Sequence, residues 1–382
     1  MKCICDRSAL FEALSATTAV TPTRTTKPVL ECVRFTAEAD HVVLTAYDQE
    51  VGLRCRVRQV EVTEPGETLV LGKRLLDIVR ESADETMTFE AKDDILHIRG
   101  ADSHFQIVGQ NVREFPPVPD LEGEPQFSVP VGALREAVTQ TVFAAAREST
   151  RYAINGVLWE LKGKRLQLVA TDGRRLAMSA APVEKSSGEE EVRAIVPTKA
   201  VNLLSRLHLE ADEPIEVRLS PNQVVMRTGT ATISSVLVEG HFPKYDEVIP
   251  RDHDKLISLK TLELLSAVRR VALLASAESR GIRLNLTKGS LILSSRSPEQ
   301  GEATVKLDVE YSGPNLDIGF NPEFVSDALK VCGETTTLEL KETSKPGIFK
   351  SGPDKGAYPG VVIYQQDSAV FYIFAHDSLG RK

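Results

Sequence analysis

The chain has 382 residues, too many for one ordinary core, and the usual ~100–200 residues per domain implies two or three domains. Apolar residues make up 42% and charged residues 26%, which excludes a fibrous or disordered chain and leaves a globular one. The net charge of −8 argues against a wholly basic nucleic-acid binder, but not against a polyanion met by one locally basic face.

The opening "MKCICDRSAL" contains no signal-peptide core, and no apolar run approaches membrane-spanning length, so a cytoplasmic protein without membrane contact is expected. The five cysteines (Cys3, Cys5, Cys32, Cys55 and Cys332) have neither zinc spacing nor an even number, and read as buried, reduced thiols.

In chain order, a helix is predicted over 6–27, followed by alternating strands that turn at "VLTAYDQEVGLRC" around Asp48, and by a second helix over 72–81 in "LGKRLLDIV". A Pro-rich extended stretch, Glu114 to Pro125, closes this first unit. The series then starts again. A helix over 131–151 carries Leu134, Ala137, Val138, Val142 and Ala145 on one stripe, with Arg135, Arg147 and Arg151 outside it. Strands follow that turn at "LVATDGRRLAMS" around Asp172, then a helix over 196–208 in "VPTKAVNLL", and the extended stretch His241 to Asp252. A third round has helices over 259–275 and 322–330, with its turn in "LILSSRSPEQGEAT" at Ser297.

The repeat is metrical. Asp48, Asp172 and Ser297 are separated by 124 and 125 residues, and Leu10, Leu134 and Leu262 by 124 and 128. Three similar α+β domains are expected, at 1–124, 125–250 and 251–382, each running helix, strands, helix, strands with antiparallel sheets behind two helices. The turn of the second unit poses a question of its own, because a hairpin needs its Asp and Gly but has no need of adjacent Arg174 and Arg175.

Six segments in this order, "RYAINGVLWEL", "VATDGRRLA", "HFPKYDEVIP", "RGIRL", "SPEQGEA" and "IGFNPEFVSDAL", set on the threefold repeat, resemble the bacterial DNA polymerase III beta subunits, the sliding clamps. The matches run from the first residues to about Tyr358. The resemblance implies a non-catalytic replication processivity factor. Two three-domain subunits, each half of the whole, would close head to tail into a ring around duplex DNA, each domain turning the chain by about 60°. Twelve helices at ~10 Å spacing enclose a bore of roughly 28 Å, wide enough for a duplex and water. The six helical segments hold 15 Lys plus Arg against 9 Asp plus Glu, so the comparatively basic helices suit such a bore while the remainder of the chain is acidic.

By position in the family, the resemblance makes Arg24, Lys73, Arg74 and Lys199 contacts to DNA phosphates. Arg135, Arg147, Arg269 and Arg270 join them on charge and helix position alone. It also places a peptide pocket between the second and third domains, formed by Ile154, Thr171, Gly173, Arg174, Arg175, Leu176, Pro243 and Val248. Short linear motifs of the polymerase, the clamp loader and repair proteins would dock there, and the two arginines would form its rim. Family members end soon after a Tyr, in a short strand with Met-Pro that completes the pocket. Here the chain continues "PGVVIYQQDSAVFYIFAHDSLGRK", and either Val361 to Tyr364 or Val370 to Phe374 supplies that strand, or the pocket is incomplete.

Two rival readings stand beside this one. An enzyme finds little support: the seven His are scattered, with no HExxH, GxSxG or Walker pattern, and no catalytic residue, metal or cofactor is expected. A three-domain scaffold that binds proteins without encircling DNA would share the pocket and lack the bore.

Overall fold

The computed structural model describes residues 1–147, 153–186, 192–250, 252–275, 281–351 and, for the backbone, 360–363. Among these residues six α-helices occur: α1 (Arg7–Thr18), α2 (Gly72–Glu81), α3 (Val131–Thr139), α4 (Thr198–Leu203), α5 (Thr261–Ala272) and α6 (Pro322–Val331). Each emerges from a short strand, such as Lys2–Asp6 before α1 or Lys255–Lys260 before α5. The helix starts are written locally. The Asp6 carboxylate accepts from the Ala9 N–H at 2.8 Å, and the Asn321 side chain from the Glu323 N–H at 2.9 Å with Pro322 next in line.

The helices over 131–151, 196–208, 259–275 and 6–27 are all shorter than predicted, and for α1 and α3 the reason is the same. Thr17 and Thr18 turn their hydroxyls back onto the Ala13 and Leu14 carbonyls at 2.8 and 2.6 Å, and α1 stops at Thr18 instead of running to 27. Likewise Thr141 bonds the Ala137 carbonyl at 2.7 Å, α3 ends at Thr139, and a 3-10 turn, Val142–Ala144, follows. Arg147 therefore lies in an exposed bend beyond the helix, and Arg151 falls outside the described residues.

The chain divides into two compact units, Met1–Arg135 with Pro182–Val238, and Glu136–Ala181 with Glu239–Lys382. In the first, a five-stranded antiparallel sheet runs Val60–Glu64, Lys2–Asp6, Thr86–Lys92, Ile95–Arg99, His104–Val108, so that His104–Val108 is an edge. Its second sheet has nine strands and joins two repeats. Ala231–Val236 from the middle repeat pairs with Val51–Val57 from the first, with Ile233 opposite Leu53 and Ser235 opposite Val51. Helices α1 and α2 pack together behind these sheets, and Phe35 stacks on Phe89 at 5.4 Å in the core.

The second unit repeats the scheme. Strands Gly156–Lys162, Arg165–Thr171, Arg175–Pro182, Gly360–Ile363, Gly347–Ser351, Thr335–Leu340 and Lys255–Lys260 are neighbours in that order. Again strands of two repeats pair, Arg175 opposite Ile363 and Ala177 opposite Val361. A four-stranded sheet has Gly301–Asp308 at one edge. Alternation sets the faces, as in Lys255–Lys260, where Ile257 and Leu259 are buried while Leu256 and Ser258 are exposed. Trp159, Phe320 and Phe349 lie in this core, the two phenylalanines edge to face at 5.8 Å. Cys3, Cys5, Cys32 and Cys55 are buried free thiols, and Cys332 is only partly covered.

Candidate nucleic-acid and peptide interfaces

The cations singled out from the sequence separate into free and committed groups. On α2 the face Gly72, Leu75, Leu76 and Val79 is buried, which turns Lys73 and Arg74 outward at the first helical turn. Both are exposed, as is Arg24 in the segment after α1, and none of the three forms an ion pair among the described residues. Arg269 and Arg270 are exposed on the last turn of α5, where positive charge also favours the helix C-terminus.

Lys199 and Arg135 are occupied. The Lys199 ammonium donates to the Val20 carbonyl at 3.0 Å and to the Asp48 carboxylate, a group only 11% exposed. Arg135, half-buried on α3, spends its guanidinium on three backbone carbonyls: Leu204 at 2.9 Å, Leu209 at 3.1 Å and Leu207. These carbonyls belong to the 3-10 turn after α4 and the loop beyond it, so Arg135 ties that irregular stretch to α3.

The turn at Asp172 explains the first half of "GRR". One Asp172 carboxylate oxygen accepts the N–H groups of Arg174 and Arg175 at 2.9 and 3.0 Å, while Gly173 takes φ +84. The Thr171 hydroxyl donates to the Arg175 carbonyl at 2.6 Å and accepts from the Gly173 N–H at 3.1 Å. Asp48 builds its own turn in the same way, accepting from Glu50 and Val51 at 2.9 and 2.6 Å, which confirms the two turns as equivalents.

Arg174 is exposed, but Arg175 is 8% exposed and every branch of its guanidinium is used. Nε donates to Asp172 at 3.2 Å, one terminal nitrogen to Asp327 at 2.9 Å, and the other to the Phe143 carbonyl at 2.8 Å. The group lies over the Phe324 ring at 4.5 Å and the Phe143 ring at 5.4 Å. Burial would raise the Asp327 carboxyl, but hydrogen bonds from Lys330 and Arg175 outweigh it and hold the acid below its ordinary value. Arg175 is thus the bolt between the Asp172 turn and α6. Asp327, Phe324 and Phe143 carry this junction, and sequence reasoning missed all three. A signal existed: Lys199 and Phe324 are 125 residues apart, and each meets the turn of the preceding repeat.

The remaining pocket residues are largely covered. Thr171, Leu176, Ile154, Pro243 and Val248 are all buried. Pro243 and Val248 flank a 3-10 turn, Tyr245–Glu247, that is pinned to the strands Gly156–Lys162 and Arg165–Thr171 by Tyr245. The Tyr245 hydroxyl donates to the Glu160 carboxylate and accepts from Gln167 at 2.6 Å. Burial, together with the Glu160 charge, pushes this phenol up to about 12. Of the alternatives for the closing strand, the described one is Gly360–Ile363, seated between Arg175–Pro182 and Gly347–Ser351. Tyr364 and 370–374 lie outside the described residues.

Family models decide the affiliation. Those for the N-terminal, central and C-terminal domains of the DNA polymerase III beta subunit match residues 1–119, 128–244 and 246–362. The chain belongs to the DNA polymerase III beta subunit family. It is an α+β chain of three such clamp domains. Among its relatives, the beta sliding clamp of Pseudomonas aeruginosa is 36% identical over 355 residues, covering 92% of this chain and 96% of that protein. The Escherichia coli beta sliding clamp is 33% identical over 363 residues, covering 94% and 98%. The crystal structure of the Pseudomonas aeruginosa sliding clamp bound to griselimycin superposes with TM-score 0.89 at 33% identity, covering 96% of this chain and 99% of that one. The beta subunit structure from Thermotoga maritima gives 0.87 at 26% identity, covering 96% and 100%.

Proposed function

We propose that two copies of this beta subunit close head to tail around duplex DNA and act as a replication processivity clamp, sliding without reading sequence and tethering a polymerase. One observation carries the ring. The same joint is built twice inside the chain, Ala231–Val236 against Val51–Val57 and Gly360–Ile363 against Arg175–Pro182. The equivalent strands of the outer repeats, His104–Val108 and Gly301–Asp308, are left as sheet edges. An edge of each kind on one chain fits a heterologous contact that closes after two subunits.

The domains are taken as 1–124, 125–250 and 251–382. Arg24, Lys73 and Arg74 are assigned to DNA phosphates first, with Arg147, Arg269 and Arg270 as further exposed cations; Lys199 and Arg135 would contribute only while holding their internal partners. Peptide motifs of the polymerase, clamp loader and repair proteins would dock on the surface around Arg174, Leu176, Pro243 and Val248, which Arg175 holds in shape from beneath. The subunit would perform no chemistry itself and would act in the cytoplasm. Among the described residues no helix is long and apolar enough to cross a membrane.

The test is topological. The protein, loaded on nicked circular DNA, should stay bound in high salt and leave when the circle is cut. A protein held by ion pairs leaves with salt whatever the topology, and that outcome refutes encirclement.

A further inference from the structure

On the outer face of the five-stranded sheet, two histidines from neighbouring strands meet. Nδ1 of His97, in Ile95–Arg99, lies 3.2 Å from Nε2 of His104, in His104–Val108, with the rings 5.4 Å apart and inclined by 18°. One proton held between the nitrogens satisfies this contact, yet the spacing fits another occupant. Two imidazole nitrogens at ~2.0–2.1 Å from one tetrahedral ion stand about 3.3 Å apart.

We propose that His97 and His104 form a binding site for a borderline divalent cation, Ni2+, Cu2+ or Zn2+, with water completing the coordination. Neutral imidazole suits these ions, whereas Mg2+ and Ca2+ prefer oxygen ligands. The backbone is already placed. His97 pairs with Gln106 and Arg99 with His104 in an unbroken antiparallel ladder, so chelation requires only side-chain rotation. Both rings are open to solvent, which gives the ion access.

The charged neighbours do not oppose a cation. Glu90 is opposite His97 on Thr86–Lys92 and neutralises Arg99 through a 2.7 Å ion pair, with Lys2 opposite Glu90 on the next strand. Both ligands come from one chain, although His104 opens the strand that the proposed ring closure pairs with the partner.

Calorimetric titration of the full-length protein with Ni2+ at about pH 7.5 should show one ion bound per chain. His97→Ala and His104→Ala should each weaken binding by no less than the ~10-fold that even outer-sphere partners cost. Because His104 is exposed and His97 only partly covered, the variants should melt close to the parent. His41→Ala, which removes a histidine flanked by Glu38 and Asp40, should change nothing. No binding by the parent, or full binding by either His97→Ala or His104→Ala, overturns the proposal.

Discussion

Arg175 and Asp327, 152 residues apart in the chain, meet at 2.9 Å where α6 abuts the Asp172 turn. The arginine has no free donor branch and is covered by Phe324 and Phe143, so its loss strands Asp327 and unseats the turn. Arg175→Ala should destabilise the protein by about 2–3 kcal/mol. Trp159, the sole tryptophan, lies buried two strands away in the same sheet and supplies the fluorescence signal for urea unfolding. Affinity for a clamp-motif peptide should fall with it, as a consequence of the displaced turn. Arg175→Lys should rescue little, because one ammonium cannot replace three directed bonds. An unchanged unfolding midpoint in Arg175→Ala contradicts the role of bolt.

The same pair predicts sensitivity to acid. The Asp327 pKa is lowered in the folded protein, so its contribution is complete above the unfolded value of 3.8 and drains away as pH falls through the lower folded value. Stability should therefore drop more steeply below about pH 4 in the parent than in Asp327→Asn, which has no such proton to take up. Parallel pH profiles of the unfolding midpoint for the two proteins contradict this.

Free and committed cations should behave differently towards DNA. On a short linear duplex, Arg24→Glu with Lys73→Glu should weaken binding at every sequence and reduce the salt dependence by about one unit per lost phosphate contact. The dimer should persist in sedimentation. Arg135→Ala should instead lower stability by about 1–3 kcal/mol, since three carbonyls lose their donor, with little change in salt slope. A reversal of these two outcomes reverses the assignments.

Ring closure depends on the free edges. Phe105 and Val108 are exposed at 39% and 76% on the strand His104–Val108, an unusual display of apolar surface on an edge. Phe105→Glu should shift the sedimenting species from dimer to monomer while leaving the melting curve of the chain intact. A variant that remains dimeric removes this strand from the interface.

Much of the fold was legible because the repeat spacing is nearly constant. Asp48 and Asp172 do build the same turn, and helices occur in all six expected segments. The bounds of α2 and α6 were legible, but the ends of α1 and α3 were not, since periodicity continues past Thr18 and Thr139 while threonine hydroxyls capture the last carbonyls. Nor was the burial of Arg175. A turn arginine next to an exposed one looks equally free in one dimension, and only the return of α6, with Phe324 and Asp327, covers it. Lys199 and Arg135 teach the same lesson: charge and helix position do not reveal whether a carbonyl or carboxylate is waiting.

The inner joints are stretches of shared ladder, reinforced by Lys199 on Asp48 in one place and by Arg175 on Asp327 in the other. Pulling either joint open would have to rupture backbone pairing and a side-chain rivet together. On the proposed closure, the gate through which DNA enters would then be the seam between copies.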